Sequence, residues 1–194
     1  IDGSKSDAGD QSHLVLGDGR IISYNKNGNI INTIYSDPQE SFGKFNIQED
    51  IVLVESYSSF LDRDLAIYFR QSGIEKQRVE INGEIVKIVP ILNNEYAIFS
   101  QFLNVSRISI YYENSNQLYT DLELPNSIIY DARLINNYLM FSSSNGLYKY
   151  DFNLNILNQI SSSIKASKII LNEMDSFIYL TDGNELWGYS EDGN

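Results

Sequence analysis

The side chains of this chain that could take part in chemistry are mainly carboxylates and tyrosines. The chain has 194 residues and no cysteine, and His13 is its only histidine. Thiolate metal sites, a cysteine nucleophile and histidine-based metal clusters are therefore excluded. Carboxylates and tyrosines are abundant, but no sequence motif sets two of them apart as an acid and base pair. The sequence accordingly predicts no catalytic residue, no metal site and no cofactor.

Two segments are rich in side-chain oxygen atoms of the kind that bind calcium. Residues 25–29 read Asn-Lys-Asn-Gly-Asn, and residues 182–185 read Asp-Gly-Asn-Glu. A calcium loop uses alternating ligands and a distal bidentate carboxylate, and neither segment has this pattern. Asn-Gly and Asp-Gly steps supply the positive φ angles of tight hairpins. We therefore predict hairpin turns at both segments.

Another kind of candidate site combines aromatic side chains with arginine. Segments 56–63 and 100–107 lie 44 residues apart and both place aromatic residues and leucine before an arginine. Aromatic residues and arginine are enriched among the residues that dominate binding energy at interfaces. We predict two long loops that expose these side chains, with packing of the loops on neighbouring parts of the fold as the alternative. The predicted binding residues are Tyr57, Phe60, Arg63, Phe102, Leu103 and Arg107.

The elements that would position these residues recur about every 40 residues. Five tyrosines that close short apolar runs, the anchor tyrosines, lie 44, 44, 38 and 39 residues apart: Tyr24, Tyr68, Tyr112, Tyr150 and Tyr189. Apolar runs upstream of the last four are too short for helices and predict buried strands at 51–56, 96–100, 138–142 and 177–181. Looser strands are predicted before these runs, at 42–47, 85–92, 128–134 and 167–171, and outer strands at 29–35, 77–81, 118–124 and 156–160.

A unit of four short antiparallel strands in about 40 residues resembles the blade of a β-propeller. Gly146-Leu-Tyr-Lys-Tyr-Asp151 is similar to a stretch in the propeller repeats of bacterial sensor kinases and in quinoprotein-like propellers. Tyr179-Leu-Thr-Asp182 resembles the Tyr-Trp-Thr-Asp signature of receptor propellers. The resemblance covers about residues 13–194 and implies an all-β fold, with the subfamily left open.

The repeat also predicts the domain organisation. Residues 1–12 are expected to be a flexible polar lead-in, and residues 13–194 a single propeller or a propeller fragment with units at 13–41, 42–84, 85–127, 128–166 and 167–194. The first unit lacks a predicted first strand and the last lacks a fourth. We therefore expect four and a half to five blades that form an incomplete ring. A partner strand, a second copy or further sequence is expected to cover its open edge.

The charge and the composition of the chain limit the classes of ligand that it can bind. With 26 acidic against 14 basic side chains, the net charge of −12 disfavours nucleic acid and anionic membrane surfaces. No window provides the ~18 apolar residues of a membrane-spanning helix.

We interpret the chain as a non-enzymatic binding domain that recognises a protein or small ligand through loops of blades two and three. The alternatives are an axial-site enzyme acting on a carbohydrate or ester, and an extracellular sensor domain of a larger receptor. The composition favours a bacterial periplasmic or surface location over the cytosol.

Overall fold

The computed structural model describes residues 2–5, 11–16, 19–48, 50–92, 94–172 and 177–190. These residues form nineteen strands in five antiparallel sheets, numbered here as blades one to five in chain order. Blade one comprises β1 (Asp2–Lys5), β2 (Gln11–Leu16), β3 (Arg20–Asn25) and β4 (Ile30–Tyr35). Blade two comprises β5 (Ser41–Ile47), β6 (Ile51–Tyr57), β7 (Arg63–Phe69) and β8 (Glu75–Glu80).

The remaining blades follow the same plan. Blade three comprises β9 (Glu84–Pro90), β10 (Glu95–Phe102), β11 (Val105–Tyr112) and β12 (Gln117–Pro125). Blade four comprises β13 (Ile129–Ile135), β14 (Tyr138–Ser143), β15 (Gly146–Asp151) and β16 (Ile156–Ser161). Blade five comprises β17 (Lys168–Asn172), β18 (Phe177–Thr181) and β19 (Leu186–Ser190). In every blade, each strand pairs with the next one along the chain.

Consecutive blades pack face to face through their inner strands. The first strands β5, β9, β13 and β17 contact one another in that order, and the described residues form no closed ring. Strand β6 shows how the sequence produces this packing. Ile51 and Leu53 belong to the core shared with blade three, whereas Val52 and Val54 belong to the core shared with blade one. Because side chains alternate across a strand, a wholly apolar run serves two blade boundaries at once.

The strands predicted from the apolar runs are confirmed, but the beginning of the chain differs from expectation. Residues 2–5 form β1, which pairs with β2 in the register Asp2↔Val15 to Lys5↔Ser12. The prediction of a lead-in without secondary structure, and of a first blade without its first strand, is therefore wrong in this part. A ladder is made by backbone N–H and C=O groups, so a polar segment can pair with a strand that it meets.

The anchor tyrosine of blade three is Tyr111 and not Tyr112. The Tyr111 side chain is fully buried, and its hydroxyl lies 2.7 Å from Gln77 Oε1 of blade two and 3.1 Å from Asn116 Oδ1. Tyr150 of blade four is equally buried and repeats this pattern with Asp121 of blade three and with Asn155 at 3.0 Å. Strand alternation turns the neighbouring Tyr112 to the opposite face of β11.

Candidate functional site

The predicted binding residues lie at two hairpins on the same end of blades two and three. In blade two, residues 58–62 connect β6 to β7. In blade three, Phe102 pairs with Val105, so the connection is a two-residue turn formed by Leu103 and Asn104. The expected long loop at 100–107 is therefore wrong. Residues Ser100 and Gln101 continue the ladder opposite Arg107 and Ser106 and extend the strands to the tip.

The two hairpins meet across the blade boundary in an apolar surface that we call the ridge, defined as Tyr57, Phe60, Leu61, Phe102 and Leu103. The rings of Phe60 and Phe102 are stacked, with centroids 5.9 Å apart and an interplanar angle of 27°. The exposed fractions of Phe60, Leu61 and Leu103 are 52%, 74% and 69%. Large apolar side chains that form one exposed patch are a known mark of binding surfaces.

Arg63 supports the ridge from within. Its guanidinium carbon lies 4.8 Å from the centroid of the Tyr57 ring and 5.9 Å from that of Phe60, and its Nε donates to the Phe60 carbonyl at 3.2 Å. The same guanidinium forms an ion pair with Glu55. All of these Arg63 contacts are made within blade two, where the guanidinium fixes the aromatic rings through cation–π contacts and a backbone hydrogen bond.

Glu55 is the residue on which this support depends. Its exposed fraction is 2%, and it accepts hydrogen bonds from the backbone N–H groups of Ile85 at 2.9 Å and Lys44 at 3.3 Å as well as from Arg63. A buried carboxylate is stable only when such donors replace water. No sequence motif pointed to Glu55, although an acidic residue beside the apolar run of β6 is the signal that could have identified it.

The tip of blade three has a strained backbone. Leu103 adopts φ = 54°, in the left-handed region that costs a residue with a Cβ about 1–2 kcal/mol. Gln101 holds the turn, because its Nε2 donates to the Leu103 carbonyl at 2.8 Å and to the Ser127 carbonyl at 3.2 Å. An exposed leucine kept in an unfavourable conformation motivates a functional hypothesis, since such strain concentrates at binding sites.

A glycine allows the next segment to approach this tip. Gly83 lies between β8 and β9 with φ = 102°. A Cβ atom at this position would lie 2.4 Å from the Gln101 carbonyl oxygen and 2.9 Å from the Phe102 Cβ. Only glycine fits both the positive φ and the close contact. Gly83 therefore sets how closely the corner between blades two and three approaches the ridge.

Arg107 takes part in a different interaction from the other predicted residues. Its Nε donates to Glu123 Oε1 at 2.7 Å, and its Nη1 is buried without a hydrogen-bond partner among the described residues. The structure thus brings together Tyr57, Phe60, Arg63 and Phe102, with Leu103 at the exposed tip. Arg107 instead joins β11 to β12.

The described residues contain neither a metal-binding cluster nor a membrane-spanning helix. Among the residues that the structure describes, no group of three or more histidine, aspartate or glutamate side chains is arranged to hold a metal ion. Within the described ranges there is also no helix of the length and apolar character needed to cross a membrane.

Comparison with known proteins identifies the fold. No family model and no curated protein sequence matches the chain. Among solved structures, the chain is similar to BamB from Moraxella catarrhalis, a β-propeller, with a TM-score of 0.68 and 12% identity over 96% of this chain and 55% of that chain. The chain has a β-propeller fold.

A second solved structure supports the same fold. The propeller is similar to the extracellular domain of a hybrid two-component system from B. thetaiotaomicron, with a TM-score of 0.70 and 13% identity over 98% of this chain and 26% of that chain. The chain therefore spans about half the length of the first structure and about a quarter of the second. At these identities the likeness concerns the fold alone, and the propeller subfamily is unresolved.

Proposed function

We propose that this propeller is a binding domain and that its ridge docks on a partner protein. The observation that carries the proposal is the stack of Phe60 on Phe102, which joins the exposed side chains of two blades into one surface. Arg63 and Glu55 hold this surface rigidly, so little side-chain freedom is lost when a partner binds. Exposed apolar residues on a preorganised support have the character of an interface centre.

The surroundings of the ridge suggest the charge of the partner. Asp62 is exposed beside Leu61, and Glu84 is exposed opposite Gln101, one residue before Phe102. The whole chain carries a net charge of −12. Complementary charge around an apolar centre accelerates association and selects partners. The partner that fits best presents an apolar patch with basic residues at its rim.

The experiment compares ridge variants with a matched variant elsewhere. Leu61→Asp and Phe60→Ser change the ridge, whereas Ile74→Ser changes a leucine-sized side chain with an exposed fraction of 64% in the turn between β7 and β8. Proteins captured by the immobilised wild-type domain are identified, purified and titrated against each variant. We expect the ridge changes to weaken binding at least about 30-fold, the size of a hot-spot effect, and Ile74→Ser to leave it unchanged.

Two outcomes would contradict the proposal. One is a partner that binds Leu61→Asp and Phe60→Ser as tightly as the wild type. The other is a complete absence of captured proteins whose retention depends on the ridge. Far-ultraviolet circular dichroism and unfolding curves of each variant separate lost binding from lost folding, and Leu61 is the safer site because it is the more exposed of the two side chains.

A sensor role outside the cytoplasm is the second candidate function. Similarity to the extracellular domain of a two-component system supports it, and in that case ligand binding to the propeller would be passed to another domain. The test is to express the protein with its neighbouring sequence and to measure signalling with and without the ridge changes. Unaltered signalling in the ridge variants would separate this role from ridge binding.

The outer face of blade five is a further proposed contact surface. Ile170, Phe177 and Leu186 are exposed on this blade, with fractions of 42%, 41% and 66%. Equivalent faces of the preceding blades are covered by the next blade, so this face is expected to contact a second copy, a partner strand or further sequence of the protein, and light scattering tests for the second copy. We expect concentration-dependent dimers in light scattering and a monomer for Leu186→Lys. A wild-type monomer at all concentrations would argue against a second copy.

A further inference from the structure

A cleft separates blades three and four on the molecular end opposite the ridge. Its volume is about 340 Å³. We call it the aromatic cleft, and its lining residues are Glu95, Ile110, Tyr112, Tyr119, Asp121, Phe152 and Asn153. Glu95 and Tyr112 pair at one end of β10 and β11, and Phe102 and Val105 pair at the other end. With about 3.3 Å per residue, the seven steps between these pairs put the two ends about 23 Å apart.

Aromatic rings from both blades form the walls. Tyr112 and Tyr119 of blade three meet edge to face, with centroids 5.8 Å apart and an interplanar angle of 71°. Phe152 comes from the turn between β15 and β16 of blade four. The exposed fractions of Tyr112 and Tyr119 are 36% and 53%, so ring surface is open to a ligand. The Tyr119 hydroxyl donates to Gln117 at 2.6 Å and fixes that ring.

The charge in the cleft is negative and uncompensated. Glu95 and Asp121 both line it, and neither carboxylate pairs with a lysine or arginine among the described residues. The Tyr150 hydroxyl donates to Asp121 and orients it. Burial raises the pKa of Tyr112, and the charges of Glu95 and Asp121 raise it further. The cleft therefore has a negative potential that favours a positively charged ligand.

We propose that the aromatic cleft binds an organic ammonium cation, namely an alkylated amine head group. The faces of aromatic rings carry negative charge density and attract cations, and they also contact the alkyl groups of the ligand. Two carboxylates add the charge that distinguishes an ammonium ion from a neutral group of the same shape. A bare metal ion would instead need a full shell of oxygen ligands, and no group of three or more acidic or histidine side chains is arranged for one among the described residues.

The probe is choline, followed by isothermal titration calorimetry and by the tyrosine signals in NMR. Its neutral isostere 3,3-dimethylbutan-1-ol has the same shape without the charge. A second cation, Nα-acetyl-lysine methylamide, distinguishes a side chain of a partner protein from a free small molecule as the source. We expect at least one of the two cations to bind, at least about tenfold more tightly than the isostere, and more weakly at high salt.

Matched variants assign the binding to the cleft. Tyr119→Leu keeps an apolar side chain but removes the ring, so we expect an affinity about fivefold lower, whereas Tyr119→Phe should bind nearly as well as the wild type. Asp121→Asn removes the charge and keeps an oxygen that can accept from Tyr150, and it should also weaken binding. Tyr35→Leu is the control, because this tyrosine has an exposed fraction of 66% on β4 of blade one.

The proposal is overturned by any of three results. Neither cation produces heat or tyrosine shifts at tens of millimolar, or the neutral isostere binds as tightly as the cations, or Tyr119→Leu and Asp121→Asn bind as the wild type does. Binding of choline alone identifies a small molecule as the source, and binding of the lysine derivative alone identifies a protein side chain. Because the ridge lies at the other end of blade three, changes to Phe60 and Leu61 should leave these titrations unchanged.

Discussion

Removal of the Glu55 carboxylate should strongly destabilise the blade pair that carries the ridge. In the variant Glu55→Ala, the Arg63 guanidinium loses its ion-pair partner, and the N–H groups of Ile85 and Lys44 lose their acceptor. The Arg63 side chain has an exposed fraction of only 10%, so water can replace the carboxylate only in part. Glu55→Gln is the milder change, since its amide oxygen can still accept from one of these donors.

The structure sets the size of the effect. Breaking a buried ion pair by removing one partner costs about 3–5 kcal/mol, and each buried N–H left without an acceptor costs about 1–3 kcal/mol. We expect about 4 kcal/mol for Glu55→Ala, because some water will enter, and about 2 kcal/mol for Glu55→Gln. An exposed ion pair would contribute about 0–1 kcal/mol, so the two situations are clearly distinguishable.

Urea unfolding followed by circular dichroism measures these differences. Glu80→Gln is the control, because Glu80 is exposed on β8 and its replacement should change the free energy of unfolding by less than about 0.5 kcal/mol. Gly43→Ala gives an independent test, since a Cβ at this position would lie 2.0 Å from Glu55 Oε2. Its cost should fall when Glu55 is already alanine. A loss below about 1 kcal/mol in Glu55→Ala, or equal costs of Gly43→Ala in both backgrounds, would refute this account of the carboxylate.

Three further changes test other parts of the structure. Leu103→Gly should raise the free energy of unfolding by up to about 1 kcal/mol, because it relieves the positive φ, yet weaken partner binding; a variant that is less stable in urea would contradict the strain. Gly83→Ala should lower the free energy of unfolding by about 2 kcal/mol or more, through its clash with the Gln101 carbonyl. Burial alone would raise the pKa of Glu40, but hydrogen bonds from Arg78 and Ser56 outweigh burial and lower this pKa below its ordinary value of 4.5. The ionised Glu40 carboxylate therefore stabilises the fold above pH 4.5, and its contribution is lost as the pH falls through the lower pKa of the folded protein. Arg78→Met should therefore be less stable than the wild type in urea at neutral pH, with a difference that narrows in acid.

Most of the fold could be predicted because its signals are local. The second strands of blades two to four, which are β6, β10 and β14, are runs of β-branched and aromatic residues that end at turn residues. Each run can be recognised from its own sequence alone. Strand β1 could not be predicted in this way. Its residues, Asp-Gly-Ser-Lys, have no strand pattern, and the strand is defined by its pairing with β2.

The candidate sites were predictable in composition but not in geometry. The sequence identified the aromatic residues and Arg63 at the ridge, whereas the stack of Phe60 on Phe102 depends on the rotation between two blades. The aromatic cleft depends on the same kind of information, since Glu95 and Phe152 come from different blades. The repeat also placed the anchor tyrosine of blade three one residue too late. It assigned Tyr112 to the buried position that Tyr111 occupies, so Tyr112 was not predicted as a residue of a site.

Both candidate sites span a blade boundary, and a buried carboxylate bridges each boundary near the first strands of the blades. At the ridge boundary, Glu55 of blade two accepts from the backbone of Ile85 in blade three at 2.9 Å. At the cleft boundary, Asp131 of blade four pairs with Lys87 of blade three at 2.9 Å, and it also accepts from the Ile169 N–H of blade five at 2.9 Å. Hydrogen bonds to a buried charge are strong and directional, so they restrict the rotation between blades. Because an aromatic stack or a cleft between two blades exists only at one relative orientation, the same carboxylates that stabilise the boundaries also preorganise the surfaces that would bind ligands.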